Sequence, residues 1–375
     1  MIPFNKPYTT GQEIFNISKA IEFGKLAGDG TFTFAVQRFM EDRYGFNKTL
    51  LTTSCTDALE MSAILADIDC DSEVIMPSYT FVSTANAFAL RGAKIVFADS
   101  EQSSPNLDVA QLESLITPKT KAIVVMHYAG IACDMDPVIA LAKKHNLTVI
   151  EDAAQAIDAF YKGRPLGGIG DLSTFSFHET KNIISGEGGL LCINNEGYKK
   201  RAEIIREKGT NRSQFFRGEI DKYGWVDIGS SFLASEIIAA FLMAQLDRID
   251  EIQNKRKQLW ERYNSNLKGL LQIRKNILPF IPEYATNNAH MYYLRCGSIQ
   301  DRKKMMEFLS GKNIKSTFHY LSLHKSSYFA HKHDGRELKE SDMWADCLVR
   351  LPMYFDLTNE NVDFICENIL SFYHA

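Results

Sequence analysis

The chain has 375 residues, with 42 Lys plus Arg against 46 Asp plus Glu, a formal net charge of −4, and 23% charged and 45% hydrophobic residues. At roughly 150 residues per domain this globular composition suggests about two or three domains. It excludes disordered, collagen-like and small disulfide-stapled chains, and the lack of a basic excess argues against a nucleic-acid partner. No apolar run nears the roughly 20 residues that span a bilayer, and the opening Met-Ile-Pro-Phe-Asn-Lys-Pro carries no apolar signal region. Seven cysteines without a C-x-x-C pair read as reduced thiols. The expectation is a cytoplasmic protein with no membrane partner.

Through the first 200 residues short apolar runs alternate with helical patterns. Leu50-Leu51 precedes a helix near 56–68, Glu73–Met76 one near 82–91, Lys94–Ala98 one near 108–116, and Ala122–Met126 one near 137–145. Leu147–Ile150 then leads into Glu151-Asp152, and strands follow near 173–177 and 189–193. Short, nearly all-apolar strands separated by helices predict a mainly parallel sheet covered on both faces. From about 235 the rhythm changes. Ser235–Leu267 reads as one long helix, followed by Met291–Arg295, a helical Asp301–Leu309, Ser316–Tyr320 and a helix from Asn359. The fold class expected is α/β, a large domain over 1–245 with a mainly parallel central sheet flanked by helices, plus a smaller C-terminal α+β domain over 246–375.

Three pieces carry chemistry. Lys181 sits in the turn Ser176-Phe-His-Glu-Thr-Lys-Asn182, after an apolar strand and before Gly186-Glu-Gly-Gly189, where it is a candidate Schiff-base lysine or a solvated loop lysine. Asp152 ends a buried strand, where α/β sheets place their ligands, or else caps a helix. Ser54, Cys55 and Thr56 form a hydroxyl-rich strand-to-helix turn, an anion cradle or plain capping. Together, a phosphate cradle, an acid and a lysine match what pyridoxal phosphate requires. A dinucleotide-binding dehydrogenase is the competing α/β reading, but no G-x-G-x-x-G opens the first βα unit. No metal site is expected, since His331 and His333 lack further ligands.

The ordered motifs resemble a known family. Pro77-Ser-Tyr-Thr-Phe81-Val-Ser-Thr, Val125-Met-His127-Tyr-Ala-Gly130, Glu151-Asp152-Ala-Ala-Gln155, Ser176-Phe-His-x-x-Lys181-Asn and Glu187-Gly-Gly look like the DegT/DnrJ/StrS sugar aminotransferases over essentially the whole chain. The resemblance implies a fold-type-I pyridoxal phosphate transferase acting on a nucleotide-linked keto sugar, with pyridoxamine phosphate as intermediate and a homodimer whose active sites lie at the subunit interface. It implies that Lys181 is the Schiff-base lysine that also moves the proton, and that Asp152 pairs with the pyridinium nitrogen. Gln155 would contact the ring hydroxyl region and Phe81 would stack on the ring. Ser176, with Ser54, Cys55 and Thr56, would hold the phosphate.

The segments Gly24–Gly30, Val74–Phe88 and Arg206–Arg217 resemble those members that convert dTDP-4-keto-6-deoxyglucose and L-glutamate to dTDP-4-amino-4,6-dideoxygalactose and 2-oxoglutarate, for enterobacterial common antigen or O-antigen of lipopolysaccharide. On the substrate side His319, Tyr320, Arg212, Asp29 and Gly28 are the candidates. Two departures stand out. Cys55 replaces a glycine common in the cradle, and Leu233 stands where the family supplies an Asn or Arg from the partner subunit. Amination giving the gluco 4-amine or a 3-amino sugar remains open. A pyridoxamine-dependent dehydratase on the same fold also remains, although some of those carry His in place of the lysine.

Overall fold

The computed structural model describes residues 1–274 and 277–374. Seven strands form one sheet. In spatial order they are Thr49–Thr52, Gly189–Ile193, Leu172–Ser176, Thr148–Asp152, Thr120–Met126, Glu73–Pro77 and Lys94–Ala98. Gly189–Ile193 runs antiparallel to both of its neighbours, and all other adjacent pairs are parallel. The strands read as unbroken apolar runs because alternate residues feed two different cores. Leu51, Ile75, Ile123 and Val125 join one. Leu50, Val74, Met76, Ala122 and Val124 join the other, on the opposite face. With both faces covered, each of the Leu, Ile, Val and Met side chains is removed from water and contributes about 1.5–3 kcal/mol.

Glu151 shows the same alternation with a charged residue. It points away from its neighbour Asp152 into a fully buried position, where its carboxylate accepts N–H bonds from Gly167 (2.8 Å), Ile169 (2.8 Å) and Gly170 (2.6 Å). It also faces His127 Nε2 at 3.0 Å. The Cys133 N–H donates to His127 Nδ1 (3.2 Å), so Nε2 carries the proton and donates to Glu151. A single side chain thus ties three strands' ends and a loop together.

Several elements differ from the sequence-based expectation. The helix expected over 235–267 is two helices, Glu236–Leu246 and Ile249–Leu267, interrupted at Asp247-Arg248. No proline or glycine marks the break. The first helix packs into the sheet core through Ala239, Leu242 and Leu246, and the second swings Leu259, Tyr263 and Leu267 into a separate C-terminal core. The region near 108–116 is a 3₁₀ turn, Val109–Gln111, followed by the short helix Leu112–Leu115. Ser316–Tyr320 forms no strand, because Tyr320 adopts left-handed backbone (φ 59°), and only Thr317 bridges to Arg350. The C-terminal part pairs Tyr293–Arg295 with Leu348–Arg350 in an antiparallel ribbon, backed by helices Ile299–Gly311 and Asn359–His374.

Two N-terminal helices, Glu13–Glu22 and Thr31–Tyr44, were not expected. The second has no local side-chain cap. Its free N–H groups at Phe32 (2.8 Å) and Thr33 (3.0 Å), and that of Gly30 (3.0 Å), donate to Glu236, which lies 206 residues beyond Gly30. A cap supplied by tertiary structure leaves no local signature.

Candidate active site

A cavity of about 540 Å³ opens at the carboxyl edge of the parallel strands. Asp152, Ser176 and Met126 end three adjacent strands there, and Ser54 follows the Thr49–Thr52 strand. This is where an open α/β sheet collects its ligands. Lys181, Asp152, Ser176, Ser54, Cys55 and Thr56 all line it, as do Phe81, His319 and Tyr320.

The cradle is built from two helix starts. Ser54 caps the helix Cys55–Leu65, its Oγ accepting from the Asp57 N–H (3.1 Å). Thr56 Oγ1 donates to Ser83 Oγ (2.8 Å), in the first turn of the helix Val82–Ala89. Two helix N-termini, each carrying partial positive charge, therefore meet at one wall with hydroxyls between them, an arrangement suited to a phosphate. Burial, reinforced by Asp152, pushes the Cys55 thiol up to about 12, so it lines the cradle as a neutral group. Gly189 allows the cradle to close. A Cβ there would collide with the Ser54 carbonyl and the Cys55 nitrogen. Gly189→Ala should therefore displace the turn and weaken cofactor retention by about tenfold, the equivalent of a modest overpacking cost. Equilibrium dialysis against free cofactor measures this, and unchanged retention would show that the turn is not the cradle.

Asp152 is held in place on both oxygens. Thr84 Oγ1 donates to Oδ2 (2.6 Å) and the Ala154 N–H to Oδ1 (3.1 Å). Lys181 has its backbone N–H bonded to the His178 carbonyl (2.9 Å), while its amine makes no hydrogen bond or ion pair among the described residues. Burial lowers its pKa below the ordinary 10.5, against the opposing pull of Cys55 and Asp152. An unpartnered amine beside a carboxylate and a hydroxyl-rich cradle fits pyridoxal phosphate: lysine for the aldehyde, acid for the ring nitrogen, hydroxyls and N–H groups for the phosphate.

The aromatic wall brings several of the expected residues together. Phe81 is 52% exposed at the cavity mouth, 5.9 Å from the Tyr320 ring, so it is not a core residue. His319 stacks on Tyr320 at 3.6 Å, and its Nδ1 meets the Tyr128 hydroxyl at 2.7 Å. Burial, with Arg350, His290 and Lys181 adding to it, holds His319 well below the usual histidine range, so it is neutral. Gln155 stands behind this wall and is not part of the cavity lining. Its Nε2 donates to the Tyr320 hydroxyl (2.8 Å), and its Oε1 accepts from the Ala129 N–H (2.7 Å). Both ends of the amide are committed, so Gln155 reaches the cavity through Tyr320.

Gly28, Asp29 and Arg212 are not brought to this cavity within one chain. They line a second one of about 700 Å³, with Lys25, Lys48, Arg206 and Arg217. Asp29 pairs with Arg206 Nη2 at 2.6 Å, and Leu233 forms part of the wall. Ser83, His178 and Thr180 also line the first cavity without having been singled out. All three lie within the quoted motifs, but only the meeting of two helix starts shows what Ser83 can do.

The sheet, its carboxyl-edge cavity and the lysine–aspartate–cradle set define a pyridoxal phosphate enzyme of the aminotransferase kind. The chain belongs to the DegT/DnrJ/EryC1/StrS aminotransferase family, whose model matches residues 8–370. It is similar to the GDP-perosamine synthase of Caulobacter vibrioides, 31% identical over 363 residues covering 95% of this chain and 94% of that one. It is also similar to the spore coat polysaccharide biosynthesis protein SpsC of Bacillus subtilis, 30% identical over 383 residues covering 98% and 96%. Among solved structures, the sugar aminotransferase Spr1654 of Streptococcus pneumoniae in its PLP form superposes with a TM-score of 0.89 at 26% identity, covering 100% of this chain and 98% of that chain. The same protein's PMP form gives 0.90, with 100% and 99% covered. The protein is a sugar aminotransferase that uses pyridoxal phosphate. No helix among the described residues is long and apolar enough to cross a membrane.

Proposed function

We propose that this enzyme aminates a nucleotide-linked keto sugar, converting dTDP-4-keto-6-deoxyglucose and L-glutamate to dTDP-4-amino-4,6-dideoxygalactose and 2-oxoglutarate for a cytoplasmic stage of surface polysaccharide synthesis. The observation that carries transamination is the Lys181 amine, lining the same cavity as Asp152 without a partner. Pyridoxal phosphate, when bound, supplies the electron sink for the donor's Cα electrons and the carrier for its amino group. Asp152, fixed by Thr84 and Ala154, would hold a proton at the ring nitrogen. Lys181, with its pKa lowered, would take the proton from the donor Cα as base and give it up again as acid. The same groups act in reverse order on the keto sugar. Ser176, Ser54, Thr56 and the Cys55 backbone would hold the phosphate, and Phe81 would stack on the ring.

Gly28, Asp29 and Arg212 serve the substrate from the second cavity of a partner subunit. A homodimer is supported by the large apolar side chains left exposed on the N-terminal helix, Ile14 and Ile21, and by Phe34 at that cavity, the kind of group an association surface covers. Sedimentation should give twice the 42.4 kDa chain mass. We further take 1–245 and 246–375 as the two domains.

Incubation of the pure protein with L-glutamate and dTDP-4-keto-6-deoxyglucose, followed by proton NMR, tests the reaction. A 4-amino-galacto product is expected. A gluco 4-amine or 3-amino product would correct the sugar's orientation over the cofactor, and a deoxygenated product without nitrogen would replace transamination by dehydration.

A further inference from the structure

Asn182 directly follows Lys181, yet it is buried and takes no part in lining the cavity. Its Nδ2 donates to Gln253 Oε1 (2.8 Å), on the helix Ile249–Leu267, and to the Asn288 carbonyl (2.8 Å). Both of these partners are acceptors, so Asn182 Oδ1 is the atom that faces His290 Nδ1 at 2.8 Å, and that ring nitrogen carries the proton it donates. Burial, with Lys181, Arg350 and Arg256 adding to it, holds His290 well below the usual histidine range, so the ring is neutral. The other ties of the lysine loop are its own: Lys181 N–H to the His178 carbonyl, and Ser185 N–H to the Phe177 carbonyl.

Asn288, two residues before His290, reaches the other half of the site. Its Nδ2 donates to the carbonyls of Gln155 (2.7 Å) and Ile157 (2.8 Å), in the turn that follows Asp152. Its Oδ1 accepts from the His290 N–H (3.1 Å), and Gly130 leaves room for it, since a Cβ there would collide with that oxygen. Arg256 takes the carbonyls of Ala289 (3.1 Å) and His290 (2.6 Å). Ala289, between the two, adopts left-handed backbone (φ 53°), which a residue with a Cβ keeps only where its surroundings impose it. Three consecutive residues, fixed at nearly every polar atom, thus touch the lysine loop on one side and the aspartate turn on the other.

We propose that Asn288 and His290 are positioning residues of this enzyme, a bridge that sets the loop bearing Lys181 at a fixed offset from the turn bearing Asp152. This rests on the reading of Lys181 as the lysine that binds the cofactor aldehyde. Neither residue lines the cavity, and each acts through a neighbour: His290 through Asn182, Asn288 through Gln155 and Ile157. A lysine held in this way competes with free amines at a high effective concentration, and loosening its loop lowers that concentration. His290 is suited to the task because it donates one proton to Asn182 without adding a charge beside Lys181, Arg256 and Arg350.

The test uses the holoenzyme and methylamine, a small amine with no carboxylate to be recognised. Borohydride fixes the cofactor to whichever amine holds it, and intact-protein mass then gives the share held by the protein. His290→Leu should need about tenfold less methylamine than the wild type to halve that share, the order of one lost hydrogen bond. His290→Asn, whose amide N–H can stand in for Nδ1–H, should recover most of the difference. Asn182→Ala should match His290→Leu, and the double variant should fall no further than either, because both cut one path. A merely structural role would lower the urea midpoint and leave the methylamine midpoint where it was. Equal methylamine midpoints in the wild type and His290→Leu overturn the proposal, as do losses that add in the double variant. If His290→Leu does not fold, Asn182→Ala against the wild type decides alone. Lys181→Ala separates the two readings. If it still traps the cofactor on the protein, the role of Lys181 falls and the bridge with it. If it traps none while His290→Leu equals the wild type, the bridge alone falls.

Discussion

Lys181→Ala is expected to lose the visible absorbance of the lysine-bound cofactor and to lower turnover by about four orders of magnitude, the upper end of what a positioned acid–base group contributes. The basis is that the cavity offers no substitute. His319 is buried, neutral and tied to Tyr128. His178 is partly exposed, with Nε2 at 3.7 Å from Glu187 and Nδ1 against Thr180. Removing the side chain should leave the fold intact, since the amine bonds nothing that must be re-satisfied. Stopped-flow mixing with L-glutamate isolates the first half of the reaction. A rate within tenfold of the wild type would remove Lys181 from the proton-transfer role.

Glu151→Gln should be the most damaging isosteric change in the large domain, about 3–5 kcal/mol, the cost of breaking a buried charged network on one side. An amide cannot accept from Gly167, Ile169, Gly170 and His127 together, so buried donors are orphaned. Burial alone would raise the Glu151 carboxyl. The hydrogen bond from His127 and the N–H groups of Gly170 and Gly167 overcome it and hold the pKa below the ordinary 4.5. The stabilisation is therefore complete above that value and is lost as pH falls through the lower, folded-state value. Urea midpoints at neutral pH should separate the wild type from the variant, and the gap should narrow in acid. Coincident midpoints at neutral pH would show that the carboxylate is not a strut.

The sheet and the centre of the site were legible because their signals are local. Continuous apolar runs report burial on both faces, and the Glu151-Asp152 and Lys181 motifs lie where strands end. What escaped depends on distant partners. The helix Thr31–Tyr44 takes its cap from Glu236, and the break at Asp247-Arg248 is set by two cores competing for one apolar stretch. Gln155 sits in the same motif as Asp152, yet it faces Tyr320 and Ala129, because strand alternation ends where the turn begins.

The reversed strand Gly189–Ile193 has a further effect on the lysine. The chain leaves the sheet at Ser176 and re-enters it at Gly189, residues paired across the same antiparallel ladder. Lys181 thus rides on a loop clamped at both ends to a single rigid edge, with Ser185 and Phe177 bonded across its base (2.7 Å). Folding has already met the entropic cost of bringing the amine to the cofactor. What remains is rotation about four methylenes, which gives the amine a high effective concentration at every carbon within that arc. Catalysis here asks for a swing of one side chain, with the main chain standing still.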